Sequence, residues 1–165
     1  MVKSKRLPKR SNITKLKTSH NNKSKIKTIK EILVPLDGSK HSFRALEMAI
    51  SLASHYSSSI SALYIFDLPL SLEFAVIDPV GEKIQKRIAK AMNTSKLRCE
   101  DKHIPFRSII KHGKVGPDII EVAKKGKFDI IVIGKRGISS TSEIFLGSVS
   151  HYVIHHSKIP VFIVK

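Results

Sequence analysis

The chain contains a single cysteine, Cys99, so no disulfide can form within it and one thiol cannot build a metal cage alone. Tryptophan is missing altogether, and no stretch approaches the roughly 18 consecutive apolar residues of a membrane-spanning helix. Nor does the basic start lead into the apolar segment of about 7 to 15 residues that a secretory signal requires. These absences lead to the expectation of a soluble, cytoplasmic protein in a reducing compartment. An acid-free, serine-containing basic leader also fits an organellar transit peptide, although those favour arginine and this one is mostly lysine. Two common phosphate loops are missing as well: no Gly-Lys-Ser or Gly-Lys-Thr completes a Walker A loop, and no Gly-x-Gly-x-x-Gly occurs.

Acids are the other shortage. Thirty Lys and Arg face thirteen Asp and Glu, a formal charge of +17, and the first thirty residues hold eleven of those cations and no acid. The remainder carries 19 cations against 13 acids, a balance of +6. With only Leu7, Ile13, Leu16, Ile26 and Ile29 as larger apolar anchors, residues 1–29 bury too little surface to offset the entropy of ordering them, and they read as a disordered basic arm. Residues 30–165 read as one domain, long enough to bury about two thirds of its unfolded surface without staples.

In that body, apolar runs alternate with helical stretches. Ile32 to Val34, Ile60 to Phe66, Phe106 to Ile110, Asp129 to Ile133 and Ile159 to Val164 read as strands. Between them, Phe43, Leu46, Ala49, Ile50 and Ala53 recur at helical spacing, as do Val80, Ile84, Ile88, Ala91 and Met92. Val115-Gly116-Pro117-Asp118 opens a shorter helix through Ile119, Ile120 and Ala123, with Pro117 near the first turn, and a last helix runs from about Gly147 to His156. Strands joined by helical crossovers pair in parallel, so the predicted fold is α/β: a single, doubly wound, Rossmann-like five-stranded parallel sheet with helices on both faces. Ligands of such sheets lie beyond the carboxyl ends of the strands, where the winding reverses. Pro35 to Ser39 and Gly134 to Ser148 occupy that edge.

Gly134 and Gly137 can admit a ligand close to the backbone, and Gly147-Ser148 opens a helix whose first amides lack internal partners. Free amides, the positive helix pole, the nearby Lys135 and Arg136 and the Ser148 hydroxyl together suit a phosphate ester. Turn geometry alone is the competing explanation of the three glycines. Asp37 is similarly open between capping a helix and binding a base or ribose.

The body, Lys30 to Lys165, resembles the universal stress protein family. The likeness rests on Val34-Pro35-Leu36-Asp37-Gly38-Ser39, on Gly134-x2-Gly137-x9-Gly147-Ser148, which matches the pattern of the ATP-binding branch, and on Ser157-Lys158-Ile159-Pro160-Val161. It implies an adenine nucleotide, ATP or AMP, the former with Mg as its companion ion. Asp37, the Pro35 backbone and Ile65 would hold the adenosine part. Gly134, Lys135, Arg136, Gly137, Gly147, Ser148, Val149 and Ser150 would hold ribose and phosphates. The resemblance also implies a homodimer, and the last strand, short and apolar, would be covered by pairing with its mate.

Catalysis has little support. Glu143 and Asp37 are the only acids near the two loops, and no Gln or His lies in the glycine segment to orient water. A nucleotide sensor or regulator in the stress response is therefore favoured over an efficient ATPase. The hydroxyl run Ser139 to Ser142 reads as a loop rather than a phosphoryl acceptor. His151 and His155 share a helix face, yet no third metal ligand is apparent. Two alternatives remain: a slow hydrolase of the same fold, and a nucleic-acid-binding accessory protein working through the arm. Having no aromatic residue for stacking, the arm would bind without regard to sequence.

Overall fold

The computed structural model describes residues 28–67, 79–138 and 146–165. The arm up to residue 27, the run Ser139 to Ser142 and Glu143 lie outside the described residues. Five strands, β1 (Glu31–Leu36), β2 (Ser59–Phe66), β3 (Phe106–His112), β4 (Ile130–Gly134) and β5 (Val161–Val164), alternate with helices α1 (Lys40–Tyr56), α2 (Pro79–Asp101), α3 (Val115–Lys125) and α4 (Ser148–His156). All pairings are parallel and the strand order is β3-β2-β1-β4-β5, which is the doubly wound sheet expected.

Apart from half-buried Glu31 at the start of β1, strands β1 and β4 are buried throughout, as strands covered on both faces must be, and alternation divides their side chains between two cores. Ile32, Val34 and Leu36 of β1 meet Ala45, Leu46, Ala49 and Ala53 of α1 and Ile88, Ala91 and Met92 of α2. Leu33, with Leu63, Ile131 and Ile133 of its neighbours, meets Ile119 and Ala123 of α3 and Val153 of α4. The apolar stripe of α1 keeps the three-and-four spacing anticipated from sequence.

Three strand ends depart from the sequence reading by two residues, and the remaining strand differences are of one residue. β1 continues through Pro35 to Leu36, β3 continues to His112, and β5 begins only at Val161. Before β5, the Ser157 hydroxyl donates to the Ile159 carbonyl at 2.7 Å, forming a local turn where an apolar run alone suggests strand.

Candidate functional site

The sheet winds outward from β1 to β2 and β3, then resumes from β4 to β5, so the reversal lies between β1 and β4. Those strands pair only at Ile32 with Ile130 and Leu33 with Ile131, while β1 stays on β2 as far as Leu36. Beyond Leu33, therefore, the centre of the sheet opens.

Pro35 sits in that opening. The Lys30 carbonyl accepts from Ser59 on the β2 side, and the Glu31 carbonyl accepts from Asp129 on the β4 side. Strand alternation turns Pro35, like Glu31 and Leu33, toward β4. Its missing N–H thus falls where the ladder has already ended, and its carbonyl faces the crevice. Proline in a central strand is tolerable here because one side of that strand has no partner at this level.

Above the opening lies a cavity of about 250 Å³, close to the lower end of the roughly 300–1,000 Å³ of small-molecule sites. Pro35, Leu36 and Asp37 form one wall and Ile133, Gly134, Arg136 and Gly137 another. Leu63 and Ile65 of β2, Val115 and Ile119 of α3, and Val149 of α4 supply a mainly apolar lining on the α3/α4 face.

Asp37 ties the two loops together. Its Oδ1 accepts from the Ser39 amide and its Oδ2 from the Ile138 amide, each at 2.9 Å. The α1 cap is Ser39 instead, whose hydroxyl accepts from the Ser42 amide at 3.1 Å. Asp37 is consequently free of the capping role, and a carboxylate with about four lone-pair positions retains two for a ligand.

Each of the three glycines allows one part of the chain to approach another. A Cβ on Gly134 would stand 2.7 Å from the His41 backbone, and one on Gly137 would stand 2.7 Å from Asp37 Oδ2. On Gly147 it would come within 3.2 Å of the Arg136 Cα. Close packing of the loops is thus a sufficient reason for these glycines, and the cradle they assemble is what a ligand would meet.

At the entrance to α4, Gly147 occupies the cap position without a side-chain bond to the helix. The His151 amide takes the Gly147 carbonyl at 2.9 Å, which leaves the amides of Ser148, Val149 and Ser150 without partners inside the helix. They point, with the positive pole of α4, toward the loop. Ser148 is exposed, whereas Ser150 is buried and its hydroxyl donates to the Gly134 carbonyl at 2.7 Å. Arg136 lines the cavity; the Lys135 amide donates to the Val164 carbonyl at 2.6 Å and its carbonyl accepts from Gly147 at 2.9 Å.

The anticipated residues Pro35, Asp37, Ile65, Gly134, Arg136, Gly137, Val149 and Ser150 all border one cavity. Lys135, Gly147 and Ser148 adjoin it through the loop and the helix start. Sequence reasoning passed over Leu63, Val115 and Ile119, whose signal was present: alternate β2 residues ending at Ile65, and an apolar i, i+4 pair opening α3. Arg87 of α2 is a further addition, reaching Gly38 and hydrogen-bonding the Tyr64 phenol. Burial pushes that phenol above its ordinary value, the Arg87 charge and hydrogen bond oppose the shift, and the Asp37 charge adds to it.

Among the described residues no group of three His, Cys, Asp or Glu could hold a metal ion. His151 and His155 do share a face, with ring centroids 4.4 Å apart. No helix among the described residues is long and apolar enough to cross a membrane.

The model of the Universal stress protein family matches residues 28–165. Universal stress protein YxiE of Bacillus subtilis is 32% identical over 145 residues, covering 82% of this chain and 98% of the relative. In three dimensions the chain is similar to universal stress protein UspA from Lactobacillus plantarum, with a TM-score of 0.72 and 24% identity over 84% of this chain and 99% of that one. It is also similar to a universal stress protein solved in complex with cAMP, with a TM-score of 0.68 and 23% identity over 84% of this chain and 99% of that one.

Proposed function

Since the chain belongs to the universal stress protein family, we propose that it is an adenine-nucleotide-binding regulator whose ligand, AMP or ATP, lies across the opening between β1 and β4. The observation that carries this reading is that an apolar slot and an uncapped helix start border one and the same cavity. A purine fits between Leu63, Ile65, Val115 and Ile119, with the Pro35 carbonyl and the remaining Asp37 lone pairs to meet its polar edge or the ribose. Phosphates fit the free amides of α4, with Arg136 beside them. The similar protein solved with cAMP supports the ligand class.

Binding rather than turnover is the function these residues serve. Among the described residues Asp37 is the carboxylate that borders the cavity, and both its oxygens already accept backbone amides. A magnesium ion arriving with ATP would take its ligands mainly from phosphates and water, as that ion commonly does. Cytoplasmic residence and homodimerisation belong to the same proposal. β5 is an edge strand with Phe162 exposed, and pairing with a second β5 about a twofold axis would cover it.

Mass spectrometry of small molecules released from the purified protein should identify AMP or ATP, and calorimetric titration should give one site per chain. Gly137→Leu and Gly147→Leu should each abolish that binding while light scattering still reports a dimer. Retained affinity in both variants would remove the site from the proposal, and a monomeric mass at micromolar concentration would remove the dimer.

A further inference from the structure

A second cavity, of about 430 Å³, lies at the opposite edge of the sheet, where the chain leaves α3 for β4 and α4 for β5. Its floor is apolar, made by Ile120, Ala123, Phe128 and Ile159. Every charged or ionisable side chain that lines it is basic: Lys124, Lys127, His156 and Lys158. The three lysines enter no ion pair among the described residues, in contrast to Lys111 and Lys125 on the far side of α3, which are both matched to Glu121.

Helix carboxyl ends attract cations on their own account, and that attraction accounts for Lys124 near the end of α3. It does not account for Lys127. That residue stands just past the helix with φ 53, the left-handed conformation for which glycine is the inexpensive choice. The motif around it is fully formed, with the Phe128 amide donating to the Ala123 carbonyl at 3.3 Å and the Lys127 amide to the Lys124 carbonyl at 3.4 Å. A lysine there places a charge on the rim at a conformational cost.

The apolar floor and the wall are fixed by close contacts. A Cβ on Gly126 would stand 2.3 Å from the Phe128 ring, so glycine is what allows that ring to lie across the helix end. The His156 ring stacks on Tyr152 with centroids 3.9 Å apart, and its Nδ1 lies 2.8 Å from the Tyr152 carbonyl. The Ser157 hydroxyl is occupied by the Ile159 backbone, which leaves the lysines as the mobile donors of the rim.

We infer that this cavity binds a small amphipathic anion, a carboxylate carrying an apolar chain, with the chain against Phe128 and Ile159 and the carboxylate among Lys124, Lys127 and Lys158. A few hundred cubic ångströms of concave, apolar surface with a few polar groups at one rim suits a small molecule better than an extended peptide. The excess of one charge sign selects the anion.

The test uses the full chain with octanoate as probe and 1-octanol as its neutral counterpart, followed through the methyl signals of Ile120 and Ile159. Octanoate should shift both in a saturable manner, leave Ile65 and Ile133 in place, and bind at least tenfold more tightly than octanol. Lys127→Gly should weaken octanoate several-fold with an unchanged or higher Tm, because the substitution relieves the left-handed backbone while removing the charge. Lys124→Gln and Lys158→Gln should weaken it similarly. Equal affinity for octanol, shifts confined to the β1/β4 opening, or wild-type affinity in all three variants would each overturn the inference.

Discussion

Gly134 and Gly137 stand three residues apart, yet the atoms that exclude a side chain differ in kind. At Gly134 they are backbone atoms of His41 in the first turn of α1, which cannot move without displacing the helix from the sheet. At Gly137 the obstacle is the end of the Asp37 side chain, which can rotate away. Urea unfolding should therefore report a loss of about 1–3 kcal/mol for Gly134→Ala and less than about 1 kcal/mol for Gly137→Ala. Nucleotide affinity should fall at least tenfold in Gly137→Ala, because the displaced carboxylate also gives up the Ile138 amide. At this scale the sequence was informative where a residue's chemistry is local, as with Asp37 and the glycine spacing. It was silent where a role depends on a distant partner. Nothing near Arg87 in the chain announces that it reaches Gly38, and nothing near Gly134 announces the His41 backbone.

Between elements, β3 and α3 are joined by a charge network. Lys111 of β3 donates to Asp118 at 2.7 Å and also to Glu121, which receives Lys125 at 2.7 Å from one turn further along α3. The Glu121 carboxyl is thereby lowered from 4.5 to about 2, chiefly by its hydrogen bond from Lys111 and next by that from Lys125. A carboxylate depressed on folding contributes stability that is complete above its unfolded value and fades as pH falls toward the folded one. The window here is pH 4.5 down to about 2. Carboxyl-detected NMR should place the Glu121 midpoint near 2, and Lys111→Met should raise it toward 4.5. Element types were legible because continuous apolar runs and period three-to-four patterns are strong in this chain. Element ends were less so: β1 runs on through Pro35 because only its β4 side has lost a partner, a condition set by a strand far along the chain.

Across the whole molecule, the alternation of strands and helices was enough to specify a doubly wound sheet, and the rule of the reversal point was enough to anticipate a cavity at its carboxyl edge. The lining of the cavity was another matter, since Leu63, Val115 and Ile119 meet only once the order β3-β2-β1-β4-β5 is known. Charge is distributed on the same scale. Eleven cations in the first thirty residues should hold the full chain on nonspecific duplex DNA at low salt, with affinity falling steeply as salt rises. Removing residues 1–27 should abolish that retention and leave AMP affinity unchanged; equal retention of the shortened chain would move DNA binding off the arm.

The central claim, an adenine nucleotide in the opening between β1 and β4, is tested most directly by methyl NMR of the full chain during titration with AMP. Ile65, Ile119 and Ile133 border that opening and should shift together to saturation, while Ile120 and Ile159 at the other edge stay in place. No shift at millimolar AMP, or shifts confined to Ile120 and Ile159, would contradict it.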